Sequence, residues 1–340
     1  MNRHSTILRV GRENNMHPAF SVIFLTTLIG VGQGLFLALY TGQLYSVIKV
    51  LPVQDSPGFY GYGSLLALVF LAAGLVASFF HLGHPERAWR SAAKWKTSWL
   101  SREVLVLPAF MGMTFIYAMI HINDWNPVLF SLSEDFIVDL SLLVGAVNTV
   151  LAFSLFICTS MIYACIKFLQ EWATPLTVAN YTLLGMASGF ALSTAFAAYV
   201  ESDLIHFYGG WAIILTVTAL ITRIASLIRN NNIKHKSNLS TAIGIRHTKI
   251  KQIAQGSMGG SFNTREYFHG AKPFFFKSIK WIFLVLVFVV PVALLSGALA
   301  SNLFVLFALA FIVQYVGLIA ERWFFFAQAN HPQNLYYQTI

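Results

Sequence analysis

The chain has 340 residues, of which 57% are apolar and 10% charged, with 22 Lys/Arg against 13 Asp/Glu and a formal net charge of +9. Soluble domains average about 25% charged residues, so the outer surface of this chain is mostly apolar and its solvent is lipid. Two cysteines, Cys158 and Cys165, both inside one apolar run, exclude a disulfide scaffold, and they are too few for an iron–sulfur cluster.

A hydrocarbon core of roughly 30 Å takes about 20 apolar residues per helix. Eight such windows follow one another, at about 19–41, 63–82, 103–121, 138–166, 177–199, 210–228, 279–299 and 303–327. They predict an all-α polytopic bundle: an N-terminal segment 1–18, six spans over 19–228, a connection 229–278, two spans over 279–327 and a tail 328–340. The first span reads as a retained helix, because its apolar stretch exceeds a signal-peptide core and Arg3, Arg9 and Arg12 precede it. Small residues recur at helical spacing, with Gly30, Gly34 and Ala38 in the first span, Ala73 and Ala77 in the second, and Gly185 and Gly189 in the fifth. In lipid such residues let helix backbones approach closely. Pro108 and Pro291 are expected to kink the third and seventh spans and to free a carbonyl. No strands are expected, so no Gly-rich phosphate loop of the strand-to-helix kind is either.

An even number of spans puts both termini on one side. That side receives every Lys and Arg except Lys49, whereas Asp55, Asp124, Glu134, Asp135, Asp139, Glu201 and Asp203 fall on the other. Positive residues stay inside, so both termini are expected to be cytoplasmic. The basic charge is thus sorted by membrane side rather than gathered for nucleic acid. Two cytoplasmic connections stand out. One, from His81 to Glu103, interleaves Trp89, Trp95 and Trp99 with Arg90, Lys94 and Lys96 and reads as an interfacial anchor or a docking surface for a partner subunit. The other, 229–278, is basic and polar, suited to anionic lipid or to a partner with an acidic face.

No nucleophile elbow or zinc motif occurs. Of the ten histidines, His17 and His81 lie at the cytoplasmic ends of spans, His121 and His206 near the opposite surface, and the rest in connections or tails. None sits at mid-membrane, which argues against a haem in the bundle. Polar groups inside or at the edge of the apolar layer are Gln33, Glu103, Asn148, Asn180, Arg223, Gln314, Glu321 and Arg322. Such groups are costly in lipid and are candidates for function. Glu103 also has a structural account, since Ser101 is a plausible N-cap and an acid in the first turn suits the helix dipole. His81 and Glu103 occupy the cytoplasmic ends of consecutive helices. A two-electron, two-proton carrier entering from lipid would meet an imidazole and a carboxylate there, an acid–base pair. His17, Arg87, Glu321 and Arg322 join them by location as candidate quinone-binding residues.

The run His81-Leu82-Gly83, Pro85, Arg87-Ala88, followed by Ser101 and Glu103, resembles the connection between the second and third helices of dimethyl sulfoxide reductase membrane anchor subunits. Within that family, the segments Gly259 to Glu266, Glu321 to Gln328 and His331 to Asn334 are most similar to the membrane subunits of cytoplasmic sulfite dehydrogenases. The resemblance implies an anchor that docks a molybdopterin catalytic subunit and an iron–sulfur subunit and exchanges their electrons with the quinone pool. It implies no haem or iron–sulfur cluster in this chain, and His81 and Glu103 as the quinone-site histidine and glutamate. Respiratory sulfoxide reductases of the family face the periplasm, whereas the charge count here puts the His81–Glu103 connection inside a bacterial plasma membrane. That favours sulfite oxidation with quinone as acceptor. The alternatives are a sulfoxide reductase-type anchor oxidising quinol, a purely structural anchor, and a solute transporter, which would place its charged groups nearer the midplane.

Overall fold

The computed structural model of the chain describes residues 20–80, 82, 84–131, 137–234, 240–241, 244, 273–301 and 303–329. The candidate residues His17 and His81 and the segments 259–266 and 331–334 lie outside the described residues. Among the described residues, eight helical rods are long and apolar enough to cross a membrane. They are α1 (Phe20–Val47), α2 (Tyr62–Phe79, preceded by a π turn, Ser56–Gly61), α3 (Trp99–Ile122), α4 (Leu140–Ala164), α5 (Pro175–Tyr199), α6 (Ile205–Asn231), a seventh made of α7 (Pro273–Leu284), a π turn (Val285–Val289) and α8 (Val290–Ser301), and α9 (Phe304–Ala327). The end of the bundle where α1, α3, α5 and α7 begin carries the basic connections and is called here the basic end; the other is the acidic end.

Most of α1 and α5 is buried, while the other rods expose one side to lipid. These two central rods touch through the glycines that the spacing singled out: a Cβ at Gly34 or Gly189 would overlap the other helix's backbone. Ala73 and Ala77 do not pack this way. They line an open groove, and Gly74 makes the close approach to α1 at Ile29.

Local chemistry sets the rod ends. Ser98, rather than Ser101, caps α3: its hydroxyl accepts from the Ser101 N–H at 3.3 Å. Asp139 caps α4 by accepting from the Leu142 N–H at 2.8 Å, and Thr174 caps α5, with Pro175 as its first residue. Lys49, Asp124 and Glu201, just past α1, α3 and α5 at the acidic end, turn the chain with φ of 61°, 50° and 54°, the left-handed conformation that ends many helices. The expectation of no strands fails at the acidic end. Val128–Ser131 pairs antiparallel with Ile137–Asp139, Val128 facing Asp139 and Phe130 facing Val138 across a bulge. These apolar runs are too short for a search at span length.

Pro291 cannot donate to the carbonyl four residues back, that of Val287. The helix passes this point through the π turn, and Gln314 Nε2 on α9 donates to the freed Val287 oxygen at 3.3 Å and to Thr216 at 3.1 Å. Other polar groups inside the bundle are likewise ties between rods. Gln33 Nε2 donates to the Ala152 carbonyl (2.9 Å), Asn148 Nδ2 to Thr114 (2.8 Å), and Thr222 to Asn180 Oδ1 (2.8 Å).

Candidate functional site

Glu103 stands one turn into α3 at the basic end and is 7% exposed. Its carboxylate is turned toward α4, where Thr159 Oγ1 donates to Oε1 at 2.5 Å. Thr159 is also part of the wall of a small cavity among α1, α4, α5 and α9, lined by apolar residues such as Ile29, Phe156, Leu184 and Leu318 and by the polar groups of Thr26, Thr27, Gln33, Tyr181 and Arg322. The cavity is about 20 Å³, room for roughly one water.

On its α9 side the cavity meets a buried charge cluster. Arg322 lies over the Tyr181 ring, 3.7 Å from its centroid, and its Nη1 is 3.2 Å from Glu321 Oε2. Arg223 Nη2, from α6, is 2.8 Å from Glu321 Oε1. These contacts are at ion-pair distance but out of line for hydrogen bonds, and the buried Tyr181 hydroxyl has no partner among the described residues. Two guanidinium groups against one carboxylate leave one positive charge beside the cavity. An aromatic shell encloses it: Trp172 stacks on Phe325 at 5.3 Å and donates to its carbonyl at 2.9 Å, and Arg223 lies over Phe283.

The comparisons with known proteins agree with this architecture. The profile of the DMSO reductase anchor subunit (DmsC) family matches residues 14–328. The chain belongs to the DMSO reductase anchor subunit family. It is a multi-pass membrane anchor, and so one part of a larger assembly of several chains. A sulfite dehydrogenase subunit from Allochromatium vinosum is 55% identical over 325 residues, which cover 96% of this chain and 100% of that relative.

In this anchor protein the candidate residues separate into groups. Arg322 belongs to the cavity wall, Glu321 to the charge cluster behind it, and Glu103 reaches the same cavity through Thr159. Arg87 does not join them: it lies in the exposed 3-10 helix Pro85–Lys94, its side chain 58% exposed and 3.6 Å from Glu86. Thr159 was not singled out from the sequence, because a threonine hydroxyl on an apolar helix most often bonds to its own preceding turn, as those of Thr26, Thr27 and Thr114 do; Tyr181 was not, because an aromatic on such a helix reads as packing. Arg223, one of the polar groups picked out at the edge of the apolar layer, is a buried partner of Glu321.

An apolar groove of about 310 Å³ also opens at the basic end, between Ser21, Phe24 and Leu28 of α1 and Ala73, Val76, Ala77 and Phe80 at the end of α2. By helical periodicity it lies on the opposite face of α1 from the cavity at Thr159. At the acidic end, Tyr117 donates to Gln43 Oε1 (2.6 Å), Gln43 to Ser141 (2.5 Å), and Ser141 to Asp139 (2.9 Å). His121 Nδ1 lies 2.7 Å from the Ser56 hydroxyl. The network from Tyr117 to Asp139 joins α1, α3 and α4, and His121 separately ties the end of α3 to the π turn before α2. Among the described residues no group of three or more His, Cys, Asp or Glu is placed to hold a metal ion.

Proposed function

We propose that this chain is the membrane anchor and quinone-reactive subunit of a sulfite dehydrogenase complex. Its basic end faces the cytoplasm of a bacterial cell and docks an iron–sulfur subunit, which receives electrons from a molybdopterin catalytic subunit. The quinone takes up two electrons and two protons at that end, its headgroup between His81 and Glu103, with Arg87 on the same connection.

The observation that carries the reading is a carboxyl group, Glu103, buried one turn inside the bundle at the end where the soluble subunits would sit. A carboxyl there has a cost in lipid that a plain anchor has no use for, and a carboxyl is a group that can donate a proton to a quinone. The groove ending at Phe80, one residue before His81, supports access from lipid. It is apolar, and its ≈ 310 Å³ exceeds the roughly 150 Å³ that accommodates a benzene ring. The cavity at Thr159 is far smaller than that and does not fit the ring. The positive-inside bias supports a cytoplasmic basic end. Family membership alone fits quinol oxidation for a sulfoxide reductase equally; the name of the Allochromatium relative favours sulfite.

The test is steady-state assay of the purified complex with sulfite and a short-chain quinone. His81→Ala and Glu103→Gln are expected to lower quinone reduction by about 10²-fold or more, with sulfite oxidation by a soluble dye unchanged. Full quinone activity in both variants would overturn the site.

A further inference from the structure

The quinone reading uses Glu103 once per proton and leaves open how that proton is replaced. The cavity behind Glu103 has no place in that reading, and its dimensions and lining suit water. Its ≈ 20 Å³ is the volume of about one water and an order of magnitude short of a ring. Apolar and polar groups share its walls, and two of the polar ones are under-used. Tyr181, 4% exposed, has a hydroxyl without a partner among the described residues, and the Arg322 guanidinium faces Glu321 out of hydrogen-bonding line. A buried water takes two to four such partners. Thr159 spans the gap to the acid: its hydroxyl donates to Glu103 Oε1 at 2.5 Å and keeps lone pairs free to accept from the cavity side.

We propose that this cavity holds an ordered water that reprotonates Glu103 through the Thr159 hydroxyl. The proposal rests on Glu103 being the proton donor to quinone. When Glu103 has given up its proton, the Thr159 Oγ–H bond breaks toward Oε1 while a proton from the water forms a new bond to Oγ. The water is left one proton short and regains it from the aqueous phase at the basic end. Arg322 is the group that tolerates the passing negative charge, because the cluster of Arg223, Glu321 and Arg322 carries one more cation than anion in a medium where charge is poorly screened. Thr159 is a positioning residue here: it touches neither quinone nor any electron carrier.

The experiment is sulfite-to-quinone turnover by the intact complex with Thr159→Val, Thr159→Ser and Tyr181→Phe. Thr159→Val keeps the side chain's shape and removes its hydroxyl. It is expected to lower kcat by about tenfold or more, below or within the range of general acid–base effects, with KM for quinone and the soluble-dye activity unchanged. Thr159→Ser, which restores the hydroxyl, is expected to return kcat to the wild-type value. Wild-type kcat in Thr159→Val overturns the relay, and so does a raised KM at constant kcat, which would make the cavity a quinone contact. Should Thr159→Val fail to assemble, Tyr181→Phe decides: lower kcat at constant KM supports the water site, and unchanged kcat overturns it. These outcomes are separate from failure of the functional reading itself, in which the wild-type complex would not reduce quinone at all.

Discussion

Arg223 of α6 and Glu321 of α9 meet at 2.8 Å inside the bundle, 1% and 0% exposed, and Arg322 approaches the second carboxylate oxygen at 3.2 Å. A buried pair of this kind adds little net stability over well-packed apolar residues, but one partner left alone is an uncompensated charge. Glu321→Leu leaves both guanidinium groups buried without a carboxylate and is expected to cost about 3–5 kcal/mol, whereas Arg223→Met leaves Glu321 its second partner, Arg322, and is expected to cost less. The expected signs are a lower melting temperature in detergent and a lower yield of assembled complex. The double variant Arg223→Met/Glu321→Leu buries one unpaired guanidinium, Arg322, in place of two, and is expected to melt above Glu321→Leu and below Arg223→Met. A double variant that melts below Glu321→Leu would show that Arg223 and Glu321 do not act as a pair.

The α1–α5 contact gives a steric prediction with its own control. A Cβ at Gly189 would overlap the backbone of Gly34 around its carbonyl carbon and Cα, so Gly189→Ala has to push the two central rods apart. Overpacking of this kind costs about 1–3 kcal/mol, and the melting temperature is expected to fall accordingly. At Gly297 a Cβ would meet open space, and Gly297→Ala is expected to stay within about 0.5 kcal/mol of wild type. Equal melting of the two variants would mean that the glycine seam does not hold the bundle.

The eight rods were legible because a lipid solvent forces long apolar windows, and the glycine seam because close backbone approach needs small residues at a spacing of four. Span ends were less so. The helix α1 continues past the window ending near residue 41 because Gln43 and Ser46 are polar yet satisfied inside, Gln43 by Ser141 and Tyr117 and Ser46 by the Gly42 and Pro52 carbonyls. Pro291 announced a free carbonyl, but its donor, Gln314, sits on another rod, and only the packing brings the two together. The candidate site followed the same division. Glu103, Glu321 and Arg322 stood out as charges in an apolar layer. Thr159 did not, since nothing local distinguishes a hydroxyl that reaches across to a neighbouring helix from one that folds back on its own.

Sidedness follows from charge and is open to a direct check. Every Lys and Arg except Lys49 is assigned to the end where α6 finishes, so that end is expected in the cytoplasm. Alkaline phosphatase, active only after export, is expected to be inactive when fused after Asn232 and active when fused after Asp203, in the turn between α5 and α6. The opposite pattern would place the Glu103 end outside and remove the ground for a cytoplasmic sulfite-oxidising partner.

Docking of the soluble subunits is expected to run through the connection between α2 and α3. Trp89 and Trp95 are 71% and 53% exposed there, Arg90 lies 5.5 Å from the Trp89 ring centroid, and Lys96 lies 5.7 Å from that of Trp95. Arg102 is a tie within the connection, donating to the Trp95 and Lys96 carbonyls at 2.9 and 2.8 Å, so it is the wrong residue for a test of docking alone. Arg90 and Lys94 are exposed in the 3-10 helix, and reversing their charge leaves those carbonyl contacts intact. With Arg90→Glu/Lys94→Glu, attraction to an acidic partner face becomes repulsion. The sulfite–dye activity is then expected to wash off membranes at about 0.15 M salt, where surface charges still act over roughly 8 Å, while wild-type membranes retain it. Retention of all activity by the double variant would leave the exposed tryptophans as lipid anchors and move the docking face elsewhere on the basic end.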